Sequence, residues 1–415
     1  MRLPVMVIVL LFLLSIAIDW YIRNDIRYFT RKGSRWPRVY TVSAVMCWIF
    51  LIVTVSLPRR SENDDILTVM WMLYSYLTVY AAKLVYVICA LIGRILSVGK
   101  PRRFASGLWV GVPLGILTFV CMWWGVLVTR RQIEVNNVNV YSPKLPYAFE
   151  DYRIAQISDI HVGTWGNDTT FISQLVDAVN AQQADLIVFT GDIVNRRTEE
   201  LRPFLDVLSR LHAKDGVLSI LGNHDYGDYV DWHNEEDHVA NNHQLWEWER
   251  EMGWTLLNND YVLLRRNDEC IAIIGVENWG EPPFHTYGDL DKAYPAPGDS
   301  TASLTDERYK LLLSHNPEHW NRIVSKDTNV DLTLAGHTHA MQFMLRFGNW
   351  KWSPSQYRYE QWGGLYERLN KNGEPVSLYV NIGSGEVAMP FRIGATPEIT
   401  VLTLHRGKPE TTISK

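Results

Sequence analysis

The sequence predicts an α/β domain carried behind four membrane helices, and three observations predict it. The first third of the 415-residue chain is rich in Leu, Val, Ile, Trp and Tyr, whereas the rest mixes charged and apolar residues as a soluble domain does. Four stretches of that first third are long and apolar enough to cross a bilayer. From about Gln132 onward, short β-rich runs alternate with helical patterns, the signature of strands buried in a largely parallel sheet. The expected domains are a transmembrane region over residues 1–131 and an α/β domain over 132–415.

The four stretches are residues 4–22, 39–57, 66–93 and 104–128. A signal peptide is the other reading of the first, but its apolar run is long, no small-residue cleavage site follows, and three more spans come after it. Lys83, flanked by Tyr80 and Tyr86, falls inside the third stretch. A lysine at that depth is either a polar contact within the helix bundle or a functional group, and the packing reading is preferred. The loops after the first and third stretches carry Arg23, Arg27, Arg31, Lys32, Arg35, Arg38, Arg94, Lys100, Arg102 and Arg103. The opposite side has Arg2, Arg59, Arg60, Arg130 and Arg131, beside the acidic run Glu62, Asp64, Asp65. The excess of cations places the first and third loops in the cytoplasm, and hence the C-terminal domain on the extracytoplasmic face of a cell (inner) membrane.

A formal net charge of −5 gives no reason to expect nucleic acid as a partner. Of four cysteines only Cys270 belongs to the C-terminal part, so an internal disulfide there is excluded. Its neighbours, CIAIIGV, make it a small core residue rather than a nucleophile.

Strands are expected at residues 152–157 (YRIAQI), 185–190 (DLIVFT), 217–221 (VLSIL), 271–276 (IAIIGV), 309–313 (YKLLL) and 331–335 (DLTLA). Helical spacing marks residues 171–182 and 204–212. Five of these strands end in polar tips. They are SDIH with Asp159 and His161, GD with Asp192, GNHD with Asn223, His224 and Asp225, SHNP with His315, and GHTH with His337 and His339. Any one tip alone is an ordinary turn. All five, in order and each behind a strand, imply groups that converge on one site. Carboxylate oxygen and imidazole nitrogen suit Mn, Fe, Zn and similar divalent ions, and seven ligands are too many for one tetrahedral site but right for two ions sharing a carboxylate. Gly191, Gly222 and Gly336 let the chain turn sharply beside them. Two divalent ions can hold the attacking and leaving oxygens of a displacement at phosphorus.

The ordered set SDIH, TGD, LGNHD, SHNP and AGHTH resembles the calcineurin-like metallophosphoesterases, and its wording is similar to their membrane-associated YaeI/YkuE-like branch. The resemblance covers residues 152–404, including a tail, NIGSGEVAMPFRIGATPEITVLTL, similar to the way that branch ends. It implies a four-layer αββα sandwich with two divalent metals. By the same resemblance Asp159, His161, Asp192 and His339 bind the first ion, and Asp192, Asn223, His315 and His337 the second. His224 then lies near the leaving-group oxygen, held by Asp225. One departure is GHTHAMQ, with Ala340 and Met341 where many relatives have two glycines, which is expected to crowd the floor of the site.

Two further segments draw notice. Residues 226–251, with His233, His238 and His243 among acids and tryptophans, follow GNHD and read as a solvated helical lid. Residues 343–366 interleave aromatics with Arg346, Lys351 and Arg358, which suits either lipid headgroups or a hairpin with an aromatic core. His212, His285, His319 and His405 match no ligand spacing and read as surface or packing residues. The expected activity is metal-dependent hydrolysis of a phosphodiester or diphosphate bond in a membrane-embedded lipid or lipid-linked substrate, a phosphodiesterase being preferred over a monoesterase that shares the same metal core. A UDP-2,3-diacylglucosamine-type pyrophosphatase is one alternative, and a metal-retaining signalling or scaffold module with little hydrolysis is another.

Overall fold

The computed structural model describes residues 5–100, 104–282, 284–294, 308–348 and 350–408. Arg2, Arg102 and Arg103 of the charge asymmetry, and Pro4 at the head of the first span, lie outside the described residues. Chain contacts divide the protein into two units, residues 1–129 with 388–393, and residues 130–387 with 394–415.

The first unit is built on four helices, α1 (Val5–Phe29), α2 (Trp36–Ser56), α3 (Ile66–Leu96) and α4 (Val112–Leu127). All four spans have the length and hydropathy to cross a membrane, the last running Gly107–Arg131. α1 and α3 extend past their expected ends, so Arg23, Arg27 and Arg94 sit in helices rather than in loops, the last two on final turns. Lys83 is a polar contact inside the bundle. Its Nζ pairs with Asp19 Oδ1 at 2.9 Å, and that carboxylate also accepts from Tyr40 (2.6 Å), Trp48 (2.9 Å) and Tyr80 (2.6 Å). Four donors from α2 and α3 thus hold one buried carboxylate of α1, which is how a charge is tolerated among apolar helices. Residues 388–393 pack in the same unit, where Phe391 stacks on Tyr74 at 5.3 Å.

The strands of the second unit, among the described residues, are β1 (Glu134–Ser142), β2 (Tyr152–Ile157), β3 (Leu186–Phe189), β4 (Val217–Ser219), β5 (Thr255–Leu256), β6 (Asp260–Arg266), β7 (Glu269–Gly275), β8 (Lys310–Leu313), β9 (Leu332–Ala335), β10 (Leu345–Phe347), β11 (Trp350–Trp352), β12 (Gly364–Leu369), β13 (Pro375–Val380) and β14 (Glu398–Arg406). One six-stranded sheet runs β1-β14-β2-β3-β4-β5, a second runs β12-β13-β9-β8-β7-β6, and β10-β11 form a separate hairpin. Strands β2 to β5 are mutually parallel, as are β13, β9, β8 and β7, with antiparallel partners toward the edges.

Period-two alternation explains the layering. Ile154, Leu186, Val188 and Leu218 of the first sheet meet Ile271, Ile273, Leu311, Leu313, Leu332 and Leu334 of the second in one dry core. The intervening residues point the other way. Ala155, Ile157, Ile187 and Phe189 pack with helices α5 (Thr170–Asn180), α6 (Leu205–Leu208) and α7 (Glu235–Glu251). Ala272, Ile274 and Leu312 pack with Tyr294, Trp320 and Val324 beyond the second sheet. Both faces of each central strand are therefore apolar, and continuous hydrophobic runs follow.

Helix α7 is no lid. Leu245 and Trp248 are buried in the core on the first sheet, and only its opposite face is solvated. Behind that face Glu249 is fully buried, with Ser219 Oγ donating to its Oε2 at 2.5 Å. Burial pushes its pKa from 4.5 up to about 8. The folded value exceeds the unfolded one, so the native state keeps a proton that the unfolded chain releases, and stability falls as pH rises between the two values. The wild type is expected to lose melting temperature between about pH 5 and about pH 9 more steeply than Glu249→Gln, which cannot titrate. Thermal melts across that range check this, and parallel curves for the two proteins would contradict it.

Candidate metal centre

Five strands of the two sheets deliver their polar tips to one place. Asp159 and His161 follow β2, Asp192 follows β3, Asn223 and His224 follow β4, His315 follows β8, and His337 and His339 follow β9. These are carboxyl ends of parallel strands, where open α/β sheets leave room for ligands. Gln156 ties the two sheets together just below, donating to Thr190 Oγ1 at 3.1 Å and to the Ala335 carbonyl at 2.9 Å.

The loops turn through unusual backbone. Asp159 (φ 51°), His161 (46°), Asp192 (63°), His337 (74°) and His339 (50°) all adopt left-handed conformations. Each costs an L-residue roughly 1–2 kcal/mol, so the surrounding fold must impose it. Glycines take up the crowding that results. A Cβ on Gly222 would lie 2.2 Å from Asp192 Oδ1, and one on Gly336 would lie 2.4 Å from Asp159 Oδ2.

At these strand tips three groups of side chains have the spacing to hold a metal ion, Asp159 with His161 and His339, His161 with Asp192 and His224, and Asp192 with His315 and His337. Asp192 joins the second and third groups. Its Oδ2 lies 3.5 Å from His161 Nε2 and 3.2 Å from His315 Nε2. His339 Nε2 is 3.1 Å from both Asp159 Oδ1 and His161 Nε2, and His337 Nδ1 is 3.2 Å from His315 Nε2. Separations near 3 Å are those that donor atoms keep when each binds one cation at about 2.1 Å. The ring tautomers agree with this. A carbonyl only accepts, so Nδ1–H of His161 donates to Val194 O (3.1 Å) and Nδ1–H of His315 to Thr190 O (2.8 Å), which turns both Nε2 atoms into the site. Asn223 donates its amide to the Tyr229 hydroxyl at 2.8 Å, while its buried Oδ1 has no hydrogen-bond partner. An orphaned buried oxygen beside imidazoles is what a hard cation would satisfy.

Electrostatics point the same way. Burial opposes charge on Asp192, yet the imidazoles of His315 and His224 hold it ionised well below the usual range. Burial and the neighbouring His315 push His337 down to about 3, and burial and His224 lower His161. Burial also acts against His315, but Asp192 and Asp159 outweigh it and lift His315 to about 9.

Asp225 departs from its expected role. It does not touch the His224 ring. Its Oδ2 accepts from the amides of Asp192 (2.7 Å) and Gly222 (2.8 Å), and its Oδ1 from Ile193 (2.9 Å) and Val194 (3.2 Å). It clamps the loop that carries Asp192. The His224 ring is held instead by the Asn195 carbonyl, which accepts from Nδ1 at 2.6 Å. Nor does the Ala340–Met341 pair crowd the floor as expected. Met341 is half-exposed, and Ala340 packs into a satellite cluster with Met344, Tyr359 and Trp362. The departure falls on the backbone, since both residues take positive φ (50° and 47°) where glycine is free of strain.

Sequence reasoning missed two tyrosines. Tyr359 places its hydroxyl 2.9 Å from His337 Nε2, and Tyr229 packs on His224 at 4.4 Å between ring centroids. Both come from the aromatic segments that follow GNHD and GHTH, and that adjacency was the available signal. His319 is a packing residue, stacked on Trp279 and bonded to Ser314.

Residues 152–341 match the family model for calcineurin-like phosphoesterase, and residues 1–130 match that for the "probable calcineurin-like phosphoesterase, transmembrane domain". The chain thus carries a calcineurin-like phosphoesterase domain behind an N-terminal four-helix domain of the kind found in such phosphoesterases. It is 28% identical over 308 residues to "Uncharacterized metallophosphoesterase YkuE" of Bacillus subtilis (strain 168), over 73% of this chain and 96% of that protein. It is 27% identical over 326 residues to "Transmembrane protein with metallophosphoesterase domain" of Danio rerio, over 76% of this chain and 68% of that one. Among solved structures it is similar to the NAD nucleotidase NadN of Haemophilus influenzae, with 16% identity and a TM-score of 0.33, over 56% of this chain and 45% of that protein.

A proton on His315 must leave before a metal can bind Nε2. Metal uptake by the full-length protein is expected to release about one proton at neutral pH. Calorimetry in buffers of different ionisation enthalpy measures this, and heats independent of buffer would refute it.

Proposed function

We propose that this membrane-anchored calcineurin-like phosphoesterase cleaves a phosphodiester or diphosphate bond in a lipid or lipid-linked substrate, with two divalent ions such as Mn, Fe or Zn as cofactors. The observation that carries the reading is the sharing of Asp192 between two sets of inward-facing imidazoles. Asp159, His161, Asp192 and His339 would hold one ion, and Asp192, Asn223, His315 and His337 the other. Two such ions would supply the positive charge and the activated water that P–O cleavage needs.

The chain's own groups do the rest. The Asp225 clamp and the left-handed turns fix Asp192 before substrate arrives, so no reorganisation accompanies reaction. With Nδ1 of His224 engaged by Asn195, the opposite ring nitrogen is left for the substrate. Burial depresses the His224 pKa, opposed by Asp192, and an incoming phosphate anion would raise it again. The imidazolium would then give its proton to the departing oxygen. Tyr359, through His337, and Tyr229, through Asn223, orient two of the ligands. Lipid as the substrate class rests on the four spans, which keep the site at a membrane.

Purified full-length protein with Mn²⁺ is expected to release p-nitrophenol from bis(p-nitrophenyl) phosphate, and EDTA to abolish the release. His224→Ala should lower turnover about 10²-fold or more with metal content unchanged. Loss of metal in that variant would make His224 a ligand, and silence of the metal-loaded wild type would sink the hydrolase reading.

The cation asymmetry of the loops supports an extracytoplasmic position for the phosphoesterase unit. Protease added to intact cells should therefore digest the C-terminal unit. A fully protected unit reverses the orientation and admits nucleotide-linked substrates made in the cytoplasm.

A further inference from the structure

Exposed large apolar residues are scattered singly over most of the second unit, as Tyr147 and Val239 are, and such residues need no explanation. One segment is different. Met341, Leu345, Phe347, Trp350 and Tyr357 are 44%, 47%, 85%, 56% and 78% exposed. Three of them lie on the β10-β11 hairpin, whose register pairs Leu345 with Trp352, Arg346 with Lys351 and Phe347 with Trp350. Directly paired residues share a face, and faces alternate along each strand. Leu345, Phe347, Trp350 and Trp352 therefore make one wholly apolar face, and Arg346 and Lys351 make the other. An isolated two-stranded ribbon is marginal in water, and this one presents its apolar side outward.

The cationic face shows where the ribbon stands. Arg346 Nη1 pairs with Glu134 Oε1 at 2.7 Å, and Lys351 adds its charge to the same carboxylate. Glu134 opens β1 only three residues after Arg131, where the last span ends. Three extended residues reach at most about 10 Å, so the chain itself keeps Glu134 near the membrane surface. The other end of the segment is tethered too. The Gly394 backbone lies against the Met344 carbonyl, where even a Cβ would stand 1.9 Å from the oxygen. Gly394 directly follows residues 388–393, which belong to the helical unit.

We propose that the Leu345–Trp352 hairpin is a membrane-interface anchor, with Leu345, Phe347 and Trp350 entering the headgroup–acyl boundary of the bilayer that holds the spans. Lys351 faces the lipid phosphates, and the Arg346–Glu134 pair locks the ribbon to the first strand beyond the membrane. Trp at the boundary with basic groups beside the phosphates is the chemistry that this interface favours.

The full-length chain, with Cys47, Cys89, Cys121 and Cys270 replaced by alanine, is reconstituted in phosphatidylcholine–phosphatidylglycerol vesicles. Spin labels are placed in turn at Leu345→Cys, Phe347→Cys and Lys351→Cys. Labels at 345 and 347 should collide several-fold more with oxygen than with a water-soluble nickel chelate, and the label at 351 should show the reverse preference. Labels at 345 and 347 open to the nickel reagent overturn the proposal, and so do labels shielded from both reagents, which would mean that protein covers the ribbon. A second measurement avoids labels altogether. Brominated phosphatidylcholine should quench a smaller share of tryptophan emission in Trp350→Phe than in the wild type, and equal shares would overturn the proposal. Neither readout needs turnover, so a catalytically silent chain would leave the anchor standing.

Discussion

The site depends on one electrostatic constraint, a buried carboxylate shared between imidazoles that come from different sheets. Asp192 lies within 3.5 Å of His161 and 3.2 Å of His315. Removed from water, the anion and the rings can coexist only if positive charge lies among them, as protons on the metal-free protein or as cations when loaded. Everything around Asp192 preserves that geometry. Asp225 holds its loop through four amides, and Gly222 leaves space for its oxygen.

Two sheets rather than one are needed to complete the set. The first supplies Asp159, His161, Asp192, Asn223 and His224, and the second supplies His315, His337 and His339. Their dry interface and the Gln156 bridge set the distance between those contributions. Left-handed turns at the candidate metal ligands then aim side chains that straight strands would have splayed apart. Local strain at the site is thus a product of global packing, which explains why it persists. The membrane unit uses related physics, with Asp19 neutralised by Lys83 and by three hydrogen bonds from neighbouring helices.

Much of this was legible in the chain. The six expected strands appear within one to two residues of their predicted limits, because strands buried on both faces are written as unbroken apolar runs. The four spans are legible for the same reason, since lipid demands length and hydropathy and little else. The edge strands β1 and β12 escaped, as did β14 between β1 and β2. β12 alternates exposed and half-buried residues, and β1 carries three asparagines, so neither shows a strong apolar signal. Of residues 204–212, expected to be helical, only Leu205–Leu208 form an α turn, behind a 3-10 stretch over Thr198–Phe204 whose Pro203 cannot donate to the ladder.

For the candidate site, residue identity was enough to single out Asp159, His161, Asp192, Asn223, His224, His315, His337 and His339 as side chains that the fold brings to one place, because metal chemistry restricts which side chains can serve and the strand periodicity restricts where they emerge. What those identities cannot encode is who touches whom across the fold. That Asp225 binds backbone amides, that Asn195 rather than Asp225 holds His224, that Tyr359 reaches His337 and that α7 is core rather than cover were all decided by tertiary packing. Side-chain chemistry is local and is written residue by residue, whereas contacts between loops 20 to 200 positions apart exist only after two sheets have closed on a common core.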